Sequence, residues 1–393
     1  MRIQLASFDT FHVPALQRAL SEDYQTHYIS TWSPKRQGPN PDLPRRNIWP
    51  MHYALQIYRM YPWLQFRNET YSLFVAAFDT LLCSSLKPTN FDAYIPLSGI
   101  SLWSGRKIQK AGRPVILECG STHTDHQHEV VSAEFRRNGI NYPLFPKSYR
   151  DRVRQEFQEA DFIFLPSRFV ANTFVERGIP KEKIYLNQYG TDTSLFKPGE
   201  DSATERPFRV ICPSGVNLRK GARVLVEAWK KLCWTDAELH WIGSPEPMTR
   251  HLFTPMPHGI VWHGWMYQNQ LAELYASCDV MVLPSFEEGF ARVMIEAAAS
   301  GLPVIATPES GVEDFFTPDA PEGWLISANS VDALCEALIT AKRDRDATRK
   351  LGKRAAERAR EGFGKVDYAE RARANFKEAL YRFNGKSMLS SRE

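Results

Sequence analysis

Two glutamates eight positions apart, a glycine turn and an arginine lie together between Val280 and Thr307, in the run VMVLPSFEEGFARVMIEAAASGLPVIAT. The run reads as strand, loop, helix, glycine turn and strand. Glu288 falls in the loop just past the first strand, and Glu296 falls on the helix that follows. Gly289, Phe290, Ala291 and Arg292 lead into the N-terminus of that helix. Its free backbone N–H groups and positive dipole end favour a phosphate. A carboxylate one helical stretch further on is suited to accept hydrogen bonds from sugar hydroxyls. In open α/β sheets ligands bind beyond the carboxyl ends of the strands, so the block reads as a site for a phosphate-plus-polyol ligand. Against this stands the plainer reading of Glu287 and Glu288 as solvated loop charges.

Three other clusters hold chemically capable residues. Ser214–Gly221 (SGVNLRKG) sets Gly215, Arg219 and Lys220 in a loop after a strand. Its residue order is not that of a P-loop, which needs glycine before lysine and Ser/Thr after it; an exposed helix-start lysine is the plain alternative. Cys119–Glu129 (CGSTHTDHQHE) carries Cys119, His123, His126 and His128. Imidazoles at such spacing can ligate zinc, but the pattern fits no common structural zinc site, and a solvated histidine-rich loop competes with it. Gly99–Arg113 (GISLWSGRKIQKAGR) places Trp103 beside Arg106, Lys107, Lys110 and Arg113. That combination suits contact with an anionic lipid surface, or simply a solvated helix face.

The elements that must position these residues alternate along the chain. In the second half, strands are expected at Phe208–Cys212, Leu239–Ile242, Val280–Leu283 and Pro303–Ala306. Helices are expected at Ala222–Cys233, Gln268–Ser277, Arg292–Ser300 and Val331–Ala341. The first half repeats the theme, with strands at Ile3–Ala6, Tyr94–Pro96, Val115–Glu118 and Phe162–Leu165 and a helix from about Val13 to Leu20. Residues 33–47, rich in proline and basic, read as a long loop, and Ile48–Leu86 as two helices. Strands joined by helices of ten to fifteen residues imply right-handed βαβ units and parallel sheets. The polar stretch 194–207 suits a domain boundary, and Asp344–Leu380 a charged helical region broken at Gly362 and Gly364.

The 393 residues are 43% hydrophobic and 24% charged, ordinary globular values that exclude disordered, collagen-like and coiled-coil chains. The net charge of +4 and the lack of a recognisable motif argue against nucleic-acid binding. Six scattered cysteines without a CxxC pair read as reduced thiols of a cytoplasmic protein. The N-terminus shows no secretory h-region, and no stretch is apolar enough to span a membrane.

The 280–307 block resembles the donor-site signature of retaining nucleotide-sugar glycosyltransferases of the GT-B fold, the large family 4 or "group 1". Pro284, Ser285, Glu288, Gly289, Phe290, Glu296, Ala297, Gly301, Pro303, Val304 and Ile305 fit that pattern. It departs at Ala291, where the family usually has glycine. The likeness continues through Asp161–Pro198, with its Gly190-Thr191-Asp192 element, the Ser214–Gly221 loop, Leu239–Gly243 and His263–Tyr275.

The resemblance implies an α/β fold of two Rossmann-like domains facing a central cleft. Residues 1–195 would form the acceptor domain, with a C-terminal helix of about 364–393 packing back on it, and residues 196–363 the donor domain. It also implies a nucleotide-diphosphate sugar, UDP- or GDP-linked, as co-substrate, with no further cofactor and no metal. The acceptor would be a glycan, a lipid-linked glycan or a small molecule, reached in the cytoplasm or peripherally at the inner face of a membrane. Glu288, His123 and Lys220 would be catalytic, with Lys220 neutralising the diphosphate and His123 touching the donor sugar. Glu296, Gly289, Phe290, Ala291, Arg292, Gly215, Arg219 and Gly243 would bind the donor. Where the family usually has an arginine this chain has Gly215, and Arg219 or Arg292 is the expected substitute. A non-catalytic sugar-nucleotide-binding protein of the same fold is the alternative.

Overall fold

The computed structural model describes residues 1–8, 12–31, 40, 42–48, 51, 53, 68–141, 145–199, 206–246 and 249–390. The first parallel sheet is built from β1 (Arg2–Ala6), β2 (Gln25–Ser30), β3 (Arg45–Asn47) and β4 (Ala93–Pro96), in the order β3-β2-β1-β4. Bridges from Tyr94 to Val115 and from Leu97 to Glu118 lay β5 (Ile116–Glu118), β6 (Phe162–Leu165) and β7 (Ile184–Leu186) alongside it. The second sheet runs β10-β9-β8-β11-β12-β13, all parallel. Its strands are β8 (Phe208–Pro213), β9 (Ala237–Ile242), β10 (Ile260–Gly264), β11 (Val280–Leu283), β12 (Val304–Ala306) and β13 (Gly323–Leu325).

Helices cover both faces. The described ones are α1 (Val13–Leu20), α2 (Asn68–Ser85), α3 (Leu102–Lys110), α4 (Thr124–Arg137), α5 (Lys147–Glu159), α6 (Arg168–Val175), α7 (Ala222–Leu232), α8 (Gln268–Ala276), α9 (Arg292–Ala299), α10 (Val331–Arg343), α11 (Arg345–Gly362) and α12 (Lys365–Ser390). Strands covered on both faces must be apolar throughout. Hence β4, β6 and β11 are buried at every position and read in the sequence as unbroken apolar runs.

Five strands escaped the sequence reading, β3 among them. β2 exposes Gln25 and His27, β10 is an edge strand, and β7 and β13 have only three residues each. Arg45–Asn47 is a correction to the expected 33–47 loop. It pairs with Tyr28–Ser30 as an edge strand, where exposed basic side chains are tolerated. Residues 32–39 and 41 lie outside the described residues, as do 200–205 of the expected boundary. Of the two helices expected over Ile48–Leu86, Asn68–Ser85 is present, and most of the remainder falls outside the described residues.

The chain crosses between the halves twice at one place. Gly190 packs so closely on Gly364 that a Cβ at 190 would lie 2.3 Å from the Gly364 carbonyl oxygen. Thr191 N–H donates to Phe363 O (3.0 Å), and Lys365 Nζ reaches Asp192 Oδ2 (2.6 Å). Beyond this junction α12 lies on the first half. Phe376 meets Tyr24 edge-on at 5.1 Å, and Asn375 donates to Leu186 O at 2.7 Å.

Candidate functional site

A cavity of about 370 Å³ opens between the halves, lined by Gly215, Lys220, Glu288, Phe290, Ala291, Arg292, Val293 and Glu296 from the second and by His12 and Tyr189 from the first. Seven of the eleven residues singled out in the sequence therefore converge on one space.

Lys220 is set there by its own loop. Asn217 Oδ1 accepts from the Lys220 N–H at 3.0 Å, closing a short 3₁₀ turn. Gly221 follows with φ +74°, and a Cβ there would sit 2.0 Å from Pro284 O, so only glycine lets this turn press against the end of β11. The Lys220 ammonium contacts Glu288 Oε1. Burial pulls that ammonium down to about 7, and Arg219 adds to the shift. Glu288 is 8% exposed, its N–H donates to Glu309 O at 2.9 Å, and Ser285 Oγ lies 3.4 Å from Oε1.

Ala291 is the N-cap of α9, with φ −76°, so alanine adopts this backbone without strain where the family pattern has glycine. No side chain caps the helix, leaving the first-turn N–H groups at Arg292 and Val293 without an intrahelical partner at the cavity wall, where an anion could accept from them. Arg292 is exposed and makes no ion pair among the described residues. One helical stretch on, Glu296 is 6% exposed; burial raises its carboxyl, opposed by Arg292 and by a hydrogen bond from Thr191.

Glu287 does not behave as a solvated charge. It is fully buried and accepts from Thr122 Oγ1 (2.8 Å), Thr122 N (3.2 Å), Gln127 Nε2 (2.9 Å) and Arg219 Nη1 (2.9 Å). Burial alone would raise its carboxyl, but Arg219 and these donors outweigh that and hold it low. Glu287 thus ties the second half to the start of α4 in the first. Arg219 is committed to this clamp and does not line the cavity, so among the described residues Arg292 is the cation facing it that makes no ion pair. Gly243, at φ +126°, lies behind the wall; a Cβ there would be 2.9 Å from Gly215 Cα.

Gly289 makes the closest approach across the cleft. A Cβ at this position would lie 2.0 Å from Gly120 O, and its own carbonyl accepts from Ser167 Oγ at 2.7 Å. Gly289→Ala is expected to force the halves apart here. It should destabilise the protein by about 1–3 kcal/mol, the usual range for overpacking, read as a lowered thermal midpoint.

His123 is placed differently from the expectation. It is the N-cap of α4, its Nδ1 accepts from Asp125 N at 3.2 Å, and its ring packs on Phe157 and Phe174 at 5.2 and 5.3 Å. Burial lowers its pKa to about 4, and it does not line the cavity. His126 rests on Phe169 instead, and the histidines form no metal-ligating group among the described residues.

The imidazole on the cavity is His12. Its Nε2 lies 2.9 Å from Glu118 Oε1 and its Nδ1 3.1 Å from the Tyr189 hydroxyl. Glu118 is fully buried, which raises its carboxyl against the pull of His12. A Cβ at Gly120 would come within 2.7 Å of the His12 ring, so His12 occupies the space a side chain at the end of β5 would take. Sequence reasoning missed His12, Glu118 and Tyr189 as a unit, because no spacing rule links them.

The basic 106–113 cluster is largely satisfied internally. Arg106 bonds Glu159 Oε2 at 2.6 Å, Lys107 Nζ donates to Cys83 O and Leu86 O at 2.6 and 2.8 Å, and Arg152 stacks over Trp103 at 4.6 Å. No described helix is long and apolar enough to cross a membrane.

Two parallel-sheet halves flank a cleft in which cations and uncapped helix amides stand opposite carboxylates, groups that could hold a phosphorylated polyol. Residues 207–344 match the family model of the glycosyl transferases group 1. The chain is 27% identical over 228 residues to the putative colanic acid biosynthesis glycosyltransferase WcaL of Escherichia coli K12, covering 55% of this chain and 56% of that protein. It thus spans about half the length of this curated relative. The sucrose-phosphate synthase tll1590 of Thermosynechococcus elongatus has the same fold, with a TM-score of 0.71 at 19% identity, over 97% of this chain and 100% of that one. So does Anabaena Alr3699/HepE, solved in complex with UDP-glucose, with a TM-score of 0.70 at 16% identity over 96% and 100%. Residues 207–344 therefore carry the likeness to group 1 glycosyl transferases, and the whole chain has the GT-B fold.

Proposed function

We propose that the protein is a retaining glycosyltransferase that moves a sugar from a UDP- or GDP-linked donor to an acceptor hydroxyl. The observation that carries this reading is the convergence of Lys220, Arg292, Glu288 and Glu296 on one cavity between the halves. Glu296 takes the ribose hydroxyls. The α9 amides, Arg292 and Lys220 hold the diphosphate, and Lys220 leaves its contact with Glu288 to do so. Glu288 then faces the donor sugar, with His12 opposite it in the role first expected of His123.

In the reaction, the bond from the anomeric carbon to the diphosphate oxygen breaks, its electron pair staying on the nucleotide. The acceptor oxygen bonds to the same face, and its proton passes to a donor phosphate oxygen. Fixed cations and amides aimed at the leaving diphosphate supply the charge stabilisation, so no divalent ion is required. A glycan acceptor agrees with the colanic acid biosynthesis to which the E. coli relative is assigned.

Glu296→Ala tests this reading. Nucleotide-sugar turnover should fall at least ~100-fold, as removal of a charged hydrogen-bond partner worth about 1.5–3 kcal/mol compounds with misplacement of the donor. Circular dichroism should be unchanged, and wild-type turnover in the variant would refute the assignment. Wild-type turnover should survive EDTA, and the product's anomeric proton coupling should match the donor's. Calorimetric nucleotide binding without transfer to any acceptor would favour a non-catalytic binding protein.

A further inference from the structure

A second cavity, also of about 370 Å³, lies wholly in the first half and shares His12 with the one described above. Phe8, Tyr71, Phe145 and Tyr149 make its apolar wall. The last three rings form one cluster: Tyr71 and Tyr149 meet edge-on at 5.1 Å, and Phe145 lies 4.9 Å from Tyr149. Across from them is the start of α4. Thr124 is 5% exposed there, and its buried hydroxyl has no hydrogen-bond partner among the described residues. A buried hydroxyl without a partner loses about 1–3 kcal/mol unless a ligand or water completes it. The described lining contains no Lys, Arg, Asp or Glu.

We infer that this cavity is the acceptor subsite and that it takes an uncharged sugar residue, which stacks its C–H face on the aromatic cluster and hydrogen-bonds Thr124. The inference rests on the glycosyltransferase reading and deepens it. A pocket of aromatic walls with a few placed polar groups is the ordinary form of a small-ligand site. A phosphorylated or carboxylated acceptor would shed its hydration here without meeting a lysine or arginine, which is unfavourable. The shared His12 wall sets the bound residue's hydroxyl next to the donor cavity, where the bond must form.

Saturation-transfer NMR on the full chain with UDP or GDP present tests this. The probes are a mixture of methyl glycosides of glucose, galactose, mannose, rhamnose and N-acetylglucosamine, together with glucose 6-phosphate and glucuronic acid. At least one neutral glycoside should receive saturation from aromatic protons, and the two anions none. Thr124→Val and Tyr71→Ala should each weaken that glycoside roughly tenfold, the equivalent of one hydrogen bond or one ring contact. The nucleotide dissociation constant should stay within about twofold, as for a site separate from these side chains. Binding of the anions alone, of no probe at all, or neutral binding indifferent to both substitutions would overturn the inference. Loss of nucleotide binding in the wild-type chain would instead refute the glycosyltransferase reading itself.

Discussion

Lys220→Ala is expected to lower nucleotide-sugar turnover by roughly 10²–10³-fold with the fold retained, the range measured when one preorganised charge-stabilising group is removed. Two local constraints place this ammonium, the Asn217 cap and the left-handed Gly221, and neither depends on the lysine side chain. The alanine variant should therefore keep its circular dichroism spectrum. Lys220 also gives nucleotide binding a pH signature. Burial holds the free-state ammonium at about 7, against an ordinary 10.5. A diphosphate binds the charged form, so its arrival raises that pKa and draws in a proton. Linkage then makes affinity nearly constant below pH 7 and lowers it by up to about tenfold per pH unit above. UDP calorimetry from pH 7 to 9, in buffers of different ionisation enthalpy, should show proton uptake approaching one per ligand. Because arginine stays charged throughout this range, Lys220→Arg should abolish both the uptake and the slope. A flat wild-type profile would remove Lys220 from the diphosphate.

Glu287→Ala is expected to destabilise the protein by about 2–4 kcal/mol. Breaking a buried ion pair by deleting one partner typically costs ~3–5 kcal/mol; Arg219 is 30% exposed at its side chain, so water softens its loss. Thr122 and Gln127 would lose their acceptor as well, and the first turn of α4 would separate from the second half. The signature is a lowered urea midpoint together with weaker UDP binding, although Glu287 touches no ligand. Glu287→Gln keeps acceptor capacity for Thr122 while losing the charge on Arg219, and should fall between wild type and alanine. The folded carboxyl titrates below its ordinary 4.5, so its contribution is complete at neutral pH and is lost as pH falls through the acid range. The urea midpoints of wild type and Glu287→Ala should therefore converge on acidification.

The second half was legible because its cluster of polar residues is local. Glu288, the α9 N-terminus and Glu296 follow one another within one strand–loop–helix unit, so a spacing pattern carries their geometry. The elements predicted in that half lie within two residues of their observed bounds, helped by burial of β11 and β12 on both faces, whereas β10 and β13 escaped. The solvated alternative for Glu287 fails for a physical reason. A loop carboxylate looks solvated until Thr122 and Gln127, some 160 positions away in sequence, arrive to bury it. His123 was misplaced because two physical demands compete for a residue just after β5. Capping α4 and packing against Phe157 and Phe174 claimed it, and the imidazole on the cleft cavity came from His12.

The amino-acid sequence by itself determined the alternation of elements, the uncapped helix start at Arg292 and its two flanking carboxylates, because each is set by neighbours within a few turns. Only the tertiary structure decided which histidine faces the ligand, which glutamate locks the halves and which side chains form the second cavity. Those contacts join segments such as His12 and Tyr189, 177 positions apart. Their geometry depends on how the sheets stack and where the chain crosses between them, and no local periodicity encodes either.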